Sequence, residues 1–322
     1  MESKRALITG GSGYLGSHLS KALKNAGWHV VIFDLVPPAH RYYDYWYHGN
    51  ICDNNDLFTL FDSHQFDTVF HLAGRIEVGE SMKHPTEFWY NNVAGTANLL
   101  RRMQSSNTNK IIFSSTAAVY EPKLLGSWNK YMIHENHPLT NNNSVYGNTK
   151  LACEQMIKDS GMKYGIFRYF NLAGADPDGE MGENHKPETH LIPNILENLN
   201  NVIVYGDDYN TKDGTCVRDY VHVSDVADAH VTAASYIDNE SFILNLGNGT
   251  GYSIKQIIDY ISLCGVDVKF TIGKRRSGDP DILIADSSLA KQKQIFNPKH
   301  DIESIINTAF YWHICKKEKE VI

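Results

Sequence analysis

No stretch of the chain approaches the roughly 18 uninterrupted apolar residues of a membrane-spanning helix. The N-terminal MESKRALITG runs into a strand pattern with no cleavable apolar segment before it, so a cytoplasmic location without membrane contact is expected. Cysteine is scarce. Cys52, Cys153, Cys216, Cys264 and Cys315 are odd in number, far apart and never spaced as CxxC, which argues for buried thiols and against a disulfide framework, a zinc knuckle or any metal site. Positive charge is in deficit: 30 Lys and Arg stand against 37 Asp and Glu, a formal net charge of −7. A binder of nucleic acid normally carries a basic face, so a polymeric phosphate is excluded as a partner while a small phosphorylated ligand is not. Repeats and low-complexity tracts are absent as well. What remains is 322 residues, 42% hydrophobic and 21% charged, enough apolar surface to offset the ordering entropy of a large core in one large domain or two unequal ones.

Short β-branched runs alternate with amphipathic stretches through the first half. Residues 5–9, 29–34, 66–74, 110–115 and 164–170 read as strands. Between the first two, Leu15, Leu19, Leu23 and Ala26 share one stripe of a helix that Gly27 ends. A long helix is expected from His84-Pro85 to about Gln104. This alternation predicts an α/β fold with a Rossmann-type, doubly wound parallel sheet, whose ligand lies beyond the carboxyl ends of the strands. After about residue 172 the pattern loosens into Gly-, Asp- and Asn-rich turns, read as a smaller, irregular α/β substrate domain. The aromatic run RYYDYWYH at 41–48 reads as a packed loop.

Gly10, Gly13 and Gly16, in Thr9-Gly10-Gly11-Ser12-Gly13-Tyr14-Leu15-Gly16, join the first strand to the first helix. Glycine permits the turn and lets backbone amides approach a pyrophosphate, while the helix N-terminus adds positive potential. Asp34 closes the second strand at the distance where an acid receives the adenosine ribose hydroxyls. A dinucleotide is predicted, and NAD over NADP, because a carboxylate disfavours a ribose phosphate.

In Ser144-Val145-Tyr146-Gly147-Asn148-Thr149-Lys150, positions 146 and 150 are i and i+4 and share a helix face. A free tyrosine, with a pKa of about 10, is no base at neutral pH unless a nearby cation stabilises its phenolate. Lys150, with a nicotinamide cation beside it, could supply that field. The hydroxyls of Ser114-Ser115-Thr116, at the carboxyl end of the fourth strand, fall in the same crevice.

With these, the blocks GGSGYLGSH, FHLAG, VGES, NNVAGT, FSSTAAVY, YGNTK, RYFNLAGADPDGEMGE, THLIP, DGTCVRDYVHVSDVADAH, Asn245-Leu246-Gly247 and RRSGDP resemble the UDP-glucose 4-epimerase family of extended short-chain dehydrogenases/reductases, over nearly the whole chain. The resemblance implies that Tyr146 removes the 4-hydroxyl proton of a UDP-sugar while hydride passes from carbon 4 to tightly held NAD. Lys150 would lower the phenol pKa and hold the nicotinamide ribose, and Thr116 would hydrogen-bond the reacting oxygen. The 4-keto sugar then turns over and takes the hydride back on its other face. Further cofactor contacts are implied for Tyr14, Leu15, Asn50, Ile51, Leu72, Ala73, Gly74, Asn92, Ser114 and Tyr169. If buried, Asn92 requires a partner, for which a bound water or a backbone carbonyl is the alternative to a ligand. For the substrate, Arg218 and Arg276 are implied as pyrophosphate ligands and Asp279 as the uridine-ribose acid. Asn171, His190, Leu191 and Tyr205 are implied as nucleotide contacts and Leu283 as the residue bounding the sugar pocket. A homodimer through the helices bearing Asn92 and Tyr146 is implied too. The domains would be 1–172 plus about 222–247 for NAD, and about 173–221 plus 248–322 for the UDP-sugar.

Several positions depart from the family. Asn50 replaces an adenine-side acid, Ile76 replaces a lysine near the pyrophosphate beside Arg75, the 35–49 connection is short, and 121–137 looks expanded. Leu283, intermediate in bulk, implies UDP-glucose and UDP-galactose as substrates with room for UDP-GlcNAc and UDP-GalNAc. Ala117-Ala118 after Thr116 replaces the Asp-Glu of sugar-nucleotide dehydratases, which disfavours a lyase. A 4-epimerase of UDP-pentose or UDP-uronate, and a non-catalytic NAD or nucleotide-sugar sensor, remain as alternatives.

Overall fold

The structure, a computed structural model, describes residues 3–121, 132–139, 144–185, 188–276 and 279–321. Most of the expanded 121–137 connection, and Ser277 and Gly278 of RRSGDP, lie outside the described residues. The first half builds β1 (Arg5–Thr9), α1 (Tyr14–Asn25), β2 (His29–Asp34), β3 (Tyr45–His48), α2 (Asn54–Ser63), β4 (Thr68–His71), α3 (Val78–Lys83), α4 (Pro85–Phe88), α5 (Gly95–Ser105) and β5 (Lys110–Thr116). Then come β6 (Met132–Ile133), α6 (Val145–Asp159), β7 (Lys163–Tyr169), β8 (Asn171–Ala173), α7 (Leu191–Glu197), β9 (Val202–Tyr205), β10 (Val217–His222), α8 (Val223–Tyr236) and β11 (Phe242–Leu246). The chain ends with β12 (Gly251–Ser253), α9 (Ile254–Ser262), β13 (Phe270–Gly273), β14 (Ile282–Ala285), α10 (Ser288–Gln292) and α11 (Ile302–Val321).

Seven parallel strands form the main sheet in the order β11-β7-β5-β4-β1-β2-β3. Strand side chains alternate between faces, and here both faces are covered. Ala6, Ile8 and Ile32 pack with Leu19, Leu23, Ala229 and Ala233 of α1 and α8. Leu7, Val31 and Val69 pack with Leu57, Leu99, Cys153 and Ile157 of α2, α5 and α6. Such two-sided burial is why these strands read as continuous apolar runs. From β1 the chain winds outward to β2 and β3, then returns to β4 on the other side. That reversal places a crevice at the carboxyl ends of β1 and β4.

The second layer system is smaller. β12, β10, β14 and β6 form a mixed sheet with β8 also paired to β10, and β9 pairs with β13. Ile192, Ile195, Ile257, Ile261, Ile305 and Ile306 of α7, α9 and α11 fill its core. Ala117, Val119, Tyr120, Phe170 and Leu283 join the two units in a further apolar cluster.

Three expectations change in detail. The aromatic run is packed, but Tyr45–His48 is an edge strand in register with Val31–Asp34 rather than loop. Strand β11 in the main sheet was not anticipated. The expected long helix after Pro85 is helical to Ser105, but Trp89–Ala94 winds as a π-helix. The carbonyl of Asn92 there accepts the Thr96 hydroxyl at 2.6 Å and the Cys153 thiol at 3.3 Å. Side chains thus satisfy a group that the wider turn displaces, and such turns concentrate at functional sites. Among the described residues no helix is long and apolar enough to cross a membrane.

Candidate active site

The glycine loop sits against the end of β4. Gly10 has φ +75°, and a Cβ there would lie 2.7 Å from the backbone nitrogen of Ala73; at Gly16 it would lie 2.3 Å from the carbonyl oxygen of Gly10. Neither obstacle is a side chain that can move. Helix α1 starts at Gly13 with no side-chain cap and no acid in its first turn, so its leading N–H groups remain available to an anion. They open on a cleft of about 800 Å³. Lining it are Gly10, Gly13, Tyr14, Leu15 and Gly16 of the loop, Asp34, Asn50 and Ile51 after β2 and β3, and Leu72, Ala73 and Gly74 after β4. Ser114, Thr116, Tyr146 and Tyr169 join them, as do Asn171, His190 and Leu191 from the second unit. Asp34 braces the loop, accepting the Ser12 and Val36 amides at 3.0 and 3.2 Å. Asn50, where an acid was expected, accepts the Cys52 amide at 2.9 Å. Arg75 lines the cleft near Ile76 but pairs with Glu87 at 3.2 Å.

Asn92 is not among the side chains lining the cleft, but it lies directly behind Gly74, which is. Its Oδ1 accepts the Arg75 amide at 2.8 Å, and its Nδ2 donates to the Arg75 carbonyl at 3.1 Å and the Thr149 hydroxyl at 3.0 Å. These bonds clasp the 74–76 loop to α6.

Helix α6 begins at Ser144, whose hydroxyl accepts the Gly147 amide at 3.0 Å. The Tyr146 amide donates to the Ser81 hydroxyl at 3.1 Å. Burial drives the Tyr146 phenol up to about 12; a hydrogen bond from Thr116 pulls it down, and the Glu77 carboxylate pushes it up. With this chain's residues alone burial dominates, and positive charge entering the cleft would favour the phenolate. The Lys150 ammonium donates to the Ser114 carbonyl at 2.8 Å and lies 6.0 Å from the Tyr146 ring centroid. Burial lowers its pKa to about 8, so it is still mostly charged at neutral pH. A Cβ at Gly74, which lines the cleft, would stand 3.5 Å from that ammonium. The ammonium thus lies directly behind the bare glycine that lines the cleft. The Tyr169 hydroxyl bonds His230 at 2.6 Å and Ser114, and is pushed well up by burial.

The remaining substrate residues do not line this cleft. Arg218, buried on β10, pairs with Asp279 at 2.6 Å, and the Tyr209 hydroxyl donates to the other oxygen of Asp279 at 3.1 Å. The Arg276 guanidinium stacks 4.4 Å from the Tyr205 ring centroid. Leu283 lies opposite Arg218 in the β10–β14 pairing and packs on the cluster containing Phe170. Tyr220 connects the two regions. It lines the cleft two residues beyond Arg218, hence on the same face of β10 and roughly 7 Å along it.

Residues not singled out from the sequence include Glu77 and Ser81, which touch the Tyr146 environment just before and at the end of the VGES block, and Tyr220. Beneath the site, Glu154 takes Arg168 at 2.6 and 2.9 Å and the Ser115 hydroxyl at 2.5 Å, all buried. This ties β5, β7 and α6 together directly behind Thr116 and Tyr146.

The pattern of the NAD dependent epimerase/dehydratase family matches residues 6–247. A UDP-glucose 4-epimerase of Halalkalibacterium halodurans is 42% identical over 322 residues, covering 95% of each chain. The crystal structure of UDP-glucose 4-epimerase from Brucella ovis in complex with NAD is similar with a TM-score of 0.89 and 38% identity, over 96% of this chain and 98% of its own. That from Bifidobacterium longum in complex with NAD+ and UDP gives 0.89 and 33%, over 98% and 99%. Matching family pattern, full-length relatives and cleft geometry together, the chain belongs to the NAD dependent epimerase/dehydratase family, on its UDP-glucose 4-epimerase branch.

Proposed function

We infer that this protein is an NAD-dependent UDP-glucose 4-epimerase that interconverts UDP-glucose and UDP-galactose. The observation that carries the reading is the meeting of Tyr146, Thr116 and the Lys150 ammonium at one end of the cleft whose other part is the uncapped, glycine-lined start of α1. The residues present fit a dinucleotide: open helix N–H groups for its pyrophosphate, Asp34 for a ribose, and Lys150 directly behind Gly74. NAD, when bound, accepts and returns the hydrogen of sugar carbon 4, so no outside oxidant is consumed.

The protein's own part is binding and proton handling. The 4-hydroxyl proton passes to the Tyr146 oxygen, with Thr116 bonded to the reacting oxygens and holding their orientation. Burial raises the phenol to about 12, so positive charge beside it is what lets Tyr146 take the proton near neutral pH, and the sugar oxygen reclaims it on the return. Lys150 supplies the near positive charge that favours ionisation. Arg218 and Arg276 are placed to take the UDP diphosphate, Asp279 the uridine ribose, and Asn171, His190, Leu191 and Tyr205 the rest of the nucleotide. Arg218 then exchanges part of its bond to Asp279 for phosphate. Domains of 1–172 plus about 222–247 for NAD, and the remainder for UDP-sugar, follow this division.

UDP-GlcNAc and UDP-GalNAc belong to the same reading as secondary substrates, on the moderate bulk of Leu283. No acid follows Thr116, which favours epimerisation over dehydration. A homodimer fits the exposed Val78, Met82, Trp89 and Tyr90 on the helices bordering α5 and α6. A cytosolic location fits five cysteines that are all free.

Incubating the purified protein with UDP-glucose alone tests the reading. UDP-galactose formed without added redox partner supports it; binding without conversion would instead mark a sensor, and loss of water a dehydratase. Zero turnover of UDP-GlcNAc removes the secondary substrates, and light scattering showing only monomer removes the dimer.

A further inference from the structure

The rim of the cleft carries a cluster of which the proposed epimerisation uses only His190. Glu183, His185, Glu188 and His190 follow β8 and lead into α7, and each presents a ligand atom within 4.8 Å of the others. His185 Nδ1 lies 3.2 Å from Glu183 Oε1 and 3.8 Å from Glu188 Oε2. His190 Nδ1 lies 3.8 Å from Glu188 Oε1 and directly against Glu183 Oε1. Four N and O ligands about 2.0–2.2 Å from a tetrahedral ion stand roughly 3.4 Å apart, so these separations already bracket such a site.

The chemistry of the cluster also asks for a cation. The Glu183 and Glu188 carboxylates are 6% and 3% exposed, and among the described residues no lysine or arginine pairs with either. Two buried carboxylates need compensating partners, and here those partners are the His185 and His190 imidazoles, which a metal ion would hold as ligands instead. The Nδ1 atom of His185 is itself buried with no aligned hydrogen-bond partner. An imidazole nitrogen held this way between two carboxylates is a ligand in waiting. Glu188 is already fixed: its oxygens accept the backbone N–H groups of Thr189 and His190 at 2.8 Å and of His185 at 3.3 Å, which orients it without exhausting its lone pairs.

We propose that Glu183, His185, Glu188 and His190 bind one divalent transition-metal ion, with zinc the match for two imidazoles and two carboxylates. All four positions are filled by protein, so the site is closed and structural rather than a source of activated water. Its effect is on the cleft. Glu183, His185 and His190 all line it, and the negative charge of Glu183 and Glu188 reaches Tyr14 at the start of α1. An ion there cross-braces the 183–190 segment and cancels negative charge beside a path meant for diphosphates. The site shares His190 with the proposed nucleotide contacts, and its test reads metal binding rather than turnover.

The test is metal content and calorimetry on the full chain, after dialysis against a chelator, titrated with zinc chloride and, as a control, magnesium chloride. One zinc per chain, a rise in melting temperature on adding zinc, and a loss of zinc affinity of about tenfold or more in both His185→Ala and Glu183→Gln are expected. If one variant fails to fold by circular dichroism, the other decides. Absence of stoichiometric zinc, equal binding of magnesium, or unchanged zinc affinity in a folded variant would overturn the proposal.

Discussion

Replacing Lys150 by methionine should make the protein more stable at neutral pH and far less active. Burial lowers the pKa of this lysine from 10.5 to about 8. At ~1.4 kcal/mol per pH unit, that gap means that keeping the ammonium buried costs about 3 kcal/mol at neutral pH. Methionine has similar length and no charge, so it removes the penalty, but it leaves the Ser114 carbonyl, now 2.8 Å from the ammonium, without its donor. A lost partner there costs about 1–3 kcal/mol, so the variant should come out level with or up to ~2 kcal/mol above the wild type. The pH dependence is the sharper signature. Below the folded value of about 8 both folded and unfolded chains hold the proton and the penalty is complete. Between about 8 and 10.5 the folded lysine has released its proton while the unfolded one retains it, so wild-type stability rises with pH. Urea unfolding of nucleotide-free protein at about pH 7 and again at about pH 10 should therefore show the wild type gaining some 2–3 kcal/mol on the variant, since titrating groups that do not feel Lys150 cancel. Epimerase turnover of the variant should fall by about 10²-fold or more. A stability difference that does not move with pH, or turnover equal to the wild type, would refute the reasoning.

Tyr146→Phe keeps the ring and removes the proton acceptor, so kcat should drop about 10³-fold with nucleotide binding by calorimetry unchanged; unchanged kcat would sink the assignment. Asp279→Ala frees Arg218 and removes the proposed ribose acid, and KM for UDP-galactose should rise about tenfold or more with kcat nearly constant; a fall in kcat alone would place these residues elsewhere in the reaction. Glu154→Leu leaves the Arg168 guanidinium, 2% exposed, without its carboxylate, and denaturant unfolding should show a loss of about 3–5 kcal/mol; a loss below ~1 kcal/mol would mean the pair is not buried as described. Asp34→Ala should weaken NAD about tenfold and narrow its preference over NADP in calorimetry, whereas tighter NADP binding by the wild type would contradict the role of Asp34.

The parts of the fold visible in the sequence are those written in local patterns. β1, α1 and β2 match because a β-branched run, a glycine turn and a 3.6-residue stripe follow one another without interruption. β11 escaped because its partner β7 is some seventy residues earlier, and pairing between parallel strands leaves no local mark. The π-helical turn at Trp89–Ala94 escaped because its stability comes from Thr96 and Cys153 accepting a role in another turn's hydrogen bonding. In the site, Tyr146, Lys150 and the glycine loop were legible because their spacing is itself the chemistry. At Asn92 a polar residue in an apolar helix signals a partner, and only the packing shows that Arg75 and Thr149 supply one. The pairing of Arg218 with Asp279, and the convergence of Glu183, His185, Glu188 and His190 without a regular ligand spacing, exist only once the second unit has folded.

Conversion of UDP-galactose carrying deuterium at sugar carbon 4, in ordinary water with no added oxidant or reductant, tests the central claim most directly. The account predicts UDP-glucose with the deuterium still on carbon 4, because the hydrogen that leaves that carbon is held within the protein's cleft and returned to it while only the hydroxyl proton passes through Tyr146. UDP-glucose with the label lost to solvent, or no UDP-glucose at all, would contradict it.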